Sequence, residues 1–267
     1  MSKMISIAGV ELEITERGQG APILYLHGGE GIIPDLPFLD LLAKTRRIIA
    51  PSHPGFGRSS LPDWLDSVDD ISHIYLELID RLGLTRSDLV GFSLGGWIAA
   101  ELATKVPERF ERLVLIGPVG VKTGPADRLD IPDIFAMARE KLDQLRFHDP
   151  ASNPIDPAKL ADAELHAVAR NRETLALLTW EPYMHNPKLK HRLHRVHLPA
   201  LLLRGDSDGI VSAEYLARYA ALLPQARIEV IARAGHLPQV EQRERTAAAI
   251  LRFLDERQTA KRSGAGS

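Results

Sequence analysis

The stretch that most constrains this chain is Leu89-Val90-Gly91-Phe92-Ser93-Leu94-Gly95-Gly96-Trp97. A short apolar run enters Gly-x-Ser-x-Gly. A helical pattern of small residues leaves it, through Ile98, Ala99, Ala100, Leu102 and Ala103. A serine on so tight a strand-to-helix turn sits in strained backbone, and side chains two residues away on either side would collide. Gly91 and Gly95 leave that space open. The hydroxyl then stands above the sheet edge. The N–H of Leu94, at the start of the helix, is placed to stabilise an oxyanion. The competing reading makes Ser93 a chemically silent helix N-cap, and the motif alone does not choose between them.

The remainder of the 267 residues narrows the class. That length fits one large α/β domain or two small ones. With 45% hydrophobic residues the chain can bury a sizeable core. Lys plus Arg is 33 and Asp plus Glu is 35, a net charge of −2 that argues against a nucleic-acid partner. There is no cysteine, so no disulfide, thiolate zinc site or cysteine nucleophile is available. The first residues reach acidic side chains before any long apolar run, unlike a signal peptide. No run approaches the roughly 18 apolar residues of a membrane span. The expectation is a soluble cytoplasmic protein, monomer or homodimer, acting on a small molecule.

Read in order, strands and helices alternate. Met4–Ala8 and Val10–Thr15 form an opening hairpin, and Ile23–Leu26 a buried strand that ends in His27-Gly28-Gly29-Glu30-Gly31. A helix over Leu36–Ala43, a strand over Arg46–Ala50 and a loop from Pro51 to Ser59 follow. Asp69 or Asp70 opens a helix whose stripe is Ile71, Ile74, Tyr75, Leu78, Ile79 and Leu82, and Gly83 stops it. Asp88–Val90 is the strand before the serine turn, and Leu113–Ile116 the strand after the next helix. From Gly120 the rhythm breaks. Helices are expected over Ile134–Leu145, Pro157–Asn171 and Arg172–Trp180. The alternation resumes with strand Ala200–Leu203, helix Ala213–Leu222, strand Arg227–Ile231 and a last helix from Glu241 to Glu256. The fold class is therefore α/β, with a mostly parallel sheet covered on both faces. Residues 1–119 and 197–258 make the core, 120–196 an inserted helical cap, and 259–267 a flexible tail.

Active sites of such sheets lie at the carboxyl ends of strands. Those ends carry Ser93, the pair Asp206 and Asp208, and His236. A serine nucleophile needs a base, and the base an orienting acid. His191, His194 and His197 invite a metal reading. Steps of three rotate by about 300° on a helix, so their faces drift apart. With Lys188, Lys190, Arg192 and Arg195 alongside, a solvated basic segment is expected there. No phosphate-binding Gly-x-x-x-x-Gly-Lys is present, and Gly55-Phe56-Gly57 does not open a helix.

Five motifs in order then resemble the α/β-hydrolase superfamily, in the branch with a helical cap: His27-Gly28-Gly29, Pro54-Gly55-Phe56-Gly57-Arg58-Ser59, Gly91-Phe92-Ser93-Leu94-Gly95-Gly96, Gly205-Asp206-Ser207-Asp208-Gly209-Ile210-Val211, and Gly235-His236-Leu237-Pro238-Gln239-Val240-Glu241. The resemblance covers nearly the whole chain. It implies Ser93 as nucleophile, His236 as base and, from the Gly-x-x-Asp register, Asp208 as acid with Asp206 the runner-up. It implies an oxyanion hole of the Leu94 N–H and that of Gly29, or its neighbour Gly28, and gives His27 the task of holding that loop. No metal or organic cofactor is required. Gly28, Trp97, Trp180 and Leu237 are candidates for the substrate pocket, with Tyr183 and Met184 near the end of the cap. The expected activity is hydrolysis of small to medium carboxylic esters. Alternatives are hydrolytic carbon–carbon cleavage of ring-fission diketones, a perhydrolase side activity, and ligand binding with little turnover. Carbon–carbon hydrolases of this branch carry tryptophan where Leu237 stands, although Gln239 fits their pattern. They also use a cap arginine, for which Arg170 and Arg172 are candidates. The usual acid before Pro-Gly-x-Gly is replaced by Ser52-His53, so that loop must be bonded differently.

Overall fold

The computed structural model describes residues Ser2–Glu256, and the tail expected over 259–267 lies outside them. Eight strands form one sheet: β1 (Ser2–Ile7), β2 (Val10–Arg17), β3 (Ala21–Leu26), β4 (Arg46–Pro51), β5 (Ser87–Phe92), β6 (Phe110–Ile116), β7 (Ala200–Gly205) and β8 (Ala226–Ile231). Their spatial order is β1-β2-β4-β3-β5-β6-β7-β8. β2 pairs antiparallel with both its neighbours, and every other pair is parallel. Eight helices accompany them: α1 (Leu36–Leu42), α2 (Val68–Arg81), α3 (Leu94–Lys105), α4 (Arg139–Arg146), α5 (Asp162–Thr179), α6 (Ala213–Ala220), α7 (Pro238–Glu241) and α8 (Arg243–Asp255).

The central strands read as unbroken apolar runs because both faces are covered. Their period of two divides the core into layers. Leu24, Leu26, Ile49, Leu89, Leu113, Leu115 and Leu202 face one cluster, together with the buried stripes of α2, α3 and α6. Ile23, Tyr25, Ile48, Val90, Val114, Ile116, Leu201 and Leu203 face the other, with Phe38, Leu39 and Leu42 of α1 and Ala247, Ile250 and Phe253 of α8. Among the described residues no helix is long and apolar enough to cross a membrane.

Four local expectations change. The opening of α2 is capped by Ser67, which accepts from the Asp70 N–H at 3.2 Å, and not by Asp69 or Asp70. The helix expected from Ile134 starts only at Arg139. Upstream, the Asp133 carboxylate accepts from the N–H groups of Phe135 and Ala136, both at 3.1 Å, and holds the chain in a turn. The two helices expected over 157–180 are one, α5, since nothing between Asn171 and Arg172 interrupts it, while Pro157–Lys159 is a separate 3₁₀ turn. The last helix, expected from Glu241, starts at Arg243 as α8, and a separate short helix, α7, ends at Glu241 before it. His191, His194 and His197 are exposed in short 3₁₀ turns and the turn that follows, while Leu193 and Val196 between them are buried.

The Ser67 cap has a measurable weight. Ser67→Ala should lose about 1 kcal/mol in urea denaturation at unchanged m-value. A loss indistinguishable from zero would show that Asp69 and Asp70 suffice to start α2.

Candidate active site

Ser93 links β5 to α3 with φ +50° and ψ −111°, a conformation that side-chain-bearing residues rarely adopt. The glycines around it are required by backbone, not by flexible neighbours. A Cβ on Gly91 would lie 2.2 Å from the Gly95 carbonyl oxygen, and one on Gly95 would lie 2.0 Å from that of Leu26. The turn is pinned by the Ser93 N–H donating to the Ile116 carbonyl at 2.9 Å. Ser93 makes no side-chain capping bond to α3, so the N-cap reading fails. Its Oγ lies 3.1 Å from His236 Nε2 instead.

His236 follows β8. Its Nδ1 is 3.0 Å from Asp208 Oδ2. A carboxylate only accepts, so Nδ1 carries the proton and Nε2 offers its lone pair to the serine hydroxyl. Asp208 is fixed through its other oxygen, which accepts from the Ile210 and Val211 N–H groups, both at 2.8 Å. The Arg204 guanidinium braces the same loop through the carbonyls of Asp208 (3.0 Å) and Val211 (3.3 Å). Asp206, the other candidate acid, is exposed and accepts from the N–H groups of Arg233 (3.0 Å) and Ala234 (3.3 Å). It staples the two loops together and does not reach His236. Backbone donation from Arg233 lowers its pKa.

The carboxyl end of α4 meets both of these loops. Its last carbonyls have no partner within the helix. That of Leu145 accepts from Gly209 N–H at 2.9 Å, and that of Arg146 from His236 N–H at 2.6 Å. Gly235 must be glycine for this approach, because a Cβ there would lie 2.3 Å from the Arg146 oxygen.

His27 and His53 form a buried stack, with ring centroids 3.8 Å apart. The His53 N–H donates to His27 Nε2 at 3.0 Å, so His27 carries its proton on Nδ1 and donates to the Gly28 carbonyl at 2.7 Å. His53 Nε2 donates to the His27 carbonyl at 2.9 Å, and its Nδ1 accepts a hydrogen bond from the Tyr75 hydroxyl. Every ring nitrogen is used with both imidazoles neutral. Burial pushes His27 down to about 4 and His53 well below the usual histidine range. This pair, with Ser59 Oγ donating to the Ser52 carbonyl at 2.7 Å, supplies the bonding that the missing acid leaves open. His53 is buried behind His27 and does not line the cavity described next.

A cavity of 270 Å³ opens beside Ser93 and His236, with Gly29 and Leu94 in its lining. Ile131, Ile134, Met137, Leu142, Val168, Leu175 and Met184 make its apolar wall, all from the segment between β6 and β7. Of the candidates near the end of the cap, Met184 lines it and Tyr183 does not, and none of Gly28, Trp97, Trp180 and Leu237 lines it. Gly28 lies beneath, where a Cβ would come 2.6 Å from the Phe92 ring. Trp97 is buried, donates to Glu101 at 3.3 Å and borders a different cavity, of 330 Å³. Trp180 is 55% exposed and packs on Phe135 and Tyr183. Leu237 is in the core between sheet, α1 and α8.

The cavity wall also holds charged residues that sequence spacing gave no reason to select: Glu30, Arg139, Asp143 and Arg146. Arg146 pairs with Glu30 at 2.6 Å and Asp143 at 3.7 Å, and Arg139 with Asp143 at 3.4 Å. Of the two candidate cap arginines, Arg170 is consumed by the Gly57 and Ser59 carbonyls at 2.8 and 2.6 Å. Arg172 lines the cavity, donates to the Ile134 carbonyl at 3.2 Å, and has no carboxylate partner among the described residues.

Beyond Gly31 the chain buries Asp35, which accepts from the Tyr25 hydroxyl at 2.7 Å and from Gln239 Nε2 at 3.1 Å. Burial outweighs both bonds and raises its pKa to about 7. Between its unfolded value near 3.8 and about 7, the native state then holds the extra proton, so Asp35 withdraws stability as pH rises. His27 acts with the opposite sign, since the unfolded state holds the extra proton between about 4 and 6.5. A difference measurement separates them. Relative to Asp35→Asn, the wild-type protein should lose on the order of a few kcal/mol between about pH 4 and pH 7. Parallel stability profiles of the two proteins would show that Asp35 keeps an ordinary pKa.

Comparison with known proteins follows the same lines. A sequence profile of the Alpha/beta hydrolase family matches residues 23–249. The 2-hydroxymuconate semialdehyde hydrolase of Pseudomonas putida is 30% identical, over 96% of this chain and 95% of that protein. A bacterial membrane phospholipase A structure superposes with a TM-score of 0.81 at 27% identity, covering 96% of this chain and 86% of that one. A meta-cleavage product hydrolase from Pseudomonas fluorescens IP01 superposes with a TM-score of 0.77 at 22% identity, covering 94% and 97%, and shares the fold. From the strand order to the extent of the profile match, the chain belongs to the α/β-hydrolase family.

Proposed function

We propose that the protein is a serine hydrolase that cleaves a carbon–carbon bond next to a carbonyl in small, carboxylate-bearing dienoates of the ring-fission type. The observation that carries the substrate class is Arg172. The chain Arg139–Asp143–Arg146–Glu30 is neutral overall, which leaves Arg172, solvent-exposed and lying over the Phe135 ring, as the lining cation without a carboxylate partner among the described residues. A cation so placed favours a ligand that is apolar along its length and anionic at one point. The similarity to the 2-hydroxymuconate semialdehyde hydrolase, and to the 2-hydroxy-6-oxo-2,4-heptadienoate hydrolase of a second Pseudomonas putida strain at 28% identity over 91% of this chain, supports the same class.

In this reading His236 Nε2 takes the Ser93 proton as Oγ adds to the carbonyl carbon. The Leu94 and Gly29 N–H groups hold the oxyanion, and Asp208 stabilises the imidazolium. The substrate reacts in its keto form, its 2-hydroxyl proton having moved to the carbon next to the attacked carbonyl. Collapse then breaks the carbon–carbon bond, its electron pair passes into the dienolate of the leaving fragment, and His236 returns the proton there. Water, activated by His236, then hydrolyses the acyl-enzyme. Residues 120–196 serve as the cap that shapes the cavity and excludes bulk water.

Ester hydrolysis is the second reading, favoured by the surroundings of two residues. Leu237 stands where carbon–carbon hydrolases of this branch carry tryptophan, and it is turned into the core. Gln239 is spent on Asp35 and does not line the cavity.

Turnover of a 2-hydroxy-6-oxo-dienoate measured beside para-nitrophenyl esters distinguishes the two. The dienoate should give the higher kcat/KM, and Ser93→Ala should lose at least about a thousandfold. Arg172→Gln should raise KM for the dienoate about tenfold and disturb a neutral ester less. Turnover of esters alone would move the assignment to the second reading. Absence of fluorophosphonate labelling at Ser93 would remove both.

A further inference from the structure

We propose that the Glu30–Arg146 ion pair positions the oxyanion loop, locking the Gly29 N–H in register with the histidine loop. The proposal rests on the reading of Gly29 as an oxyanion donor.

The turn from Gly28 to Gly31 is poorly able to hold itself. Three of its four residues are glycine, Gly31 has φ +85°, and a single backbone bond closes it, from Gly31 N–H to the Gly28 carbonyl at 3.1 Å. Glycine backbone loses the most freedom on ordering, so such a turn needs outside restraint. His27 supplies some, through the Gly28 carbonyl. The rest comes from the segment between β6 and β7. Asn171 of α5 donates to the Glu30 carbonyl at 2.9 Å and accepts from Gly57 N–H at 3.1 Å. Arg146 of α4 meets the Glu30 carboxylate at 2.6 Å.

Arg146 is the informative partner because it has two attachments. Its side chain holds the residue next to Gly29, while its carbonyl accepts the His236 N–H at 2.6 Å. One residue therefore sets the separation between the base and the loop that carries the second oxyanion donor. The pair is shielded, with side chains 13% and 25% exposed, and Arg146 also lies over the Phe147 ring and near Asp143. Phe147 is a core residue, so the thermal midpoint of each variant separates a loss of oxyanion geometry from a loss of fold. Glu30 and Arg146 also line the cavity, so a direct contact with bound substrate is the competing role.

The test uses the full chain with Glu30→Gln, Arg146→Gln, the double variant and Arg146→Lys. Each is measured for kcat, KM, inhibition by a trifluoromethyl ketone and thermal midpoint. The single variants should lose about ten- to a hundredfold in kcat, in proportion to the lost affinity for the trifluoromethyl ketone, with KM within about twofold. The double variant should be no worse than the singles, as for two residues acting through one contact. Arg146→Lys, which keeps the charge and the aliphatic stem, should recover most of the loss. An unchanged kcat in all four, with Ser93→Ala inactive, overturns the positioning role and leaves the hydrolase reading intact. So does a loss confined to KM, or additive losses in the double variant. Activity surviving in Ser93→Ala overturns the hydrolase reading and this proposal with it.

Discussion

Everything at the carboxyl edge of the sheet depends on a single residue held in left-handed backbone. Ser93 stands at φ +50° because the chain must leave β5, expose a side chain and enter α3 without a spacer. Such a residue costs about 1–3 kcal/mol and persists only where its surroundings leave no alternative. Here the surroundings are main chain. The oxygens of Leu26 and Gly95 sit where the Cβ atoms of Gly95 and Gly91 would be, and the Ile116 carbonyl takes the Ser93 N–H. The strain is stored between β3, β5 and β6, the middle of the sheet, where parallel pairing and two-sided burial resist relaxation.

The partners of Ser93 are set by weaker and more distributed means. Asp208 is held by two backbone amides and by the Arg204 brace on its loop, and His236 by its carboxylate below and the α4 carbonyl above. The buried histidine pair plays the corresponding part under the Gly28–Gly31 turn. Desolvation keeps both rings neutral, and neutrality lets each ring donate with one nitrogen and accept with the other. A protonated His27 would have no lone pair for the His53 N–H.

The residues of the core and of the hydrogen-bonded cluster of Ser93, His236 and Asp208 were legible because each follows a short-range rule. Alternation with period two separates the faces of β3 and β6, and the Gly-x-Ser-x-Gly spacing reports a steric need confined to five residues. Asp208 and His236 could be selected by order and register. The cavity wall could not. Arg146 and Asn171 are ordinary helical residues whose meaning comes from what the fold brings to them across more than a hundred positions. Arg172, a candidate only through the resemblance, is distinguished from Arg170 by the cavity it lines. Trp180 and Trp97 misled for the complementary reason. A large aromatic near a site reads the same in sequence whether it faces a ligand, a neighbouring ring or solvent. Leu237 adjoins His236 in sequence, yet its side chain is buried in the core with α1 and α8 and does not reach the cavity.

The union of α4 with the two loops beneath it bears on how this architecture can change. Leu145 and Arg146 belong by chain position to the segment between β6 and β7, yet their carbonyls complete the hydrogen bonding of Gly209 and His236. That segment is therefore not a detachable accessory resting on a finished catalyst. Replacement of residues 120–196 would carry away two of the acceptors that seat the loops of Asp208 and His236. Through these two backbone carbonyls, a change in the length or pitch of α4 is transmitted to the loops that carry Asp208 and His236.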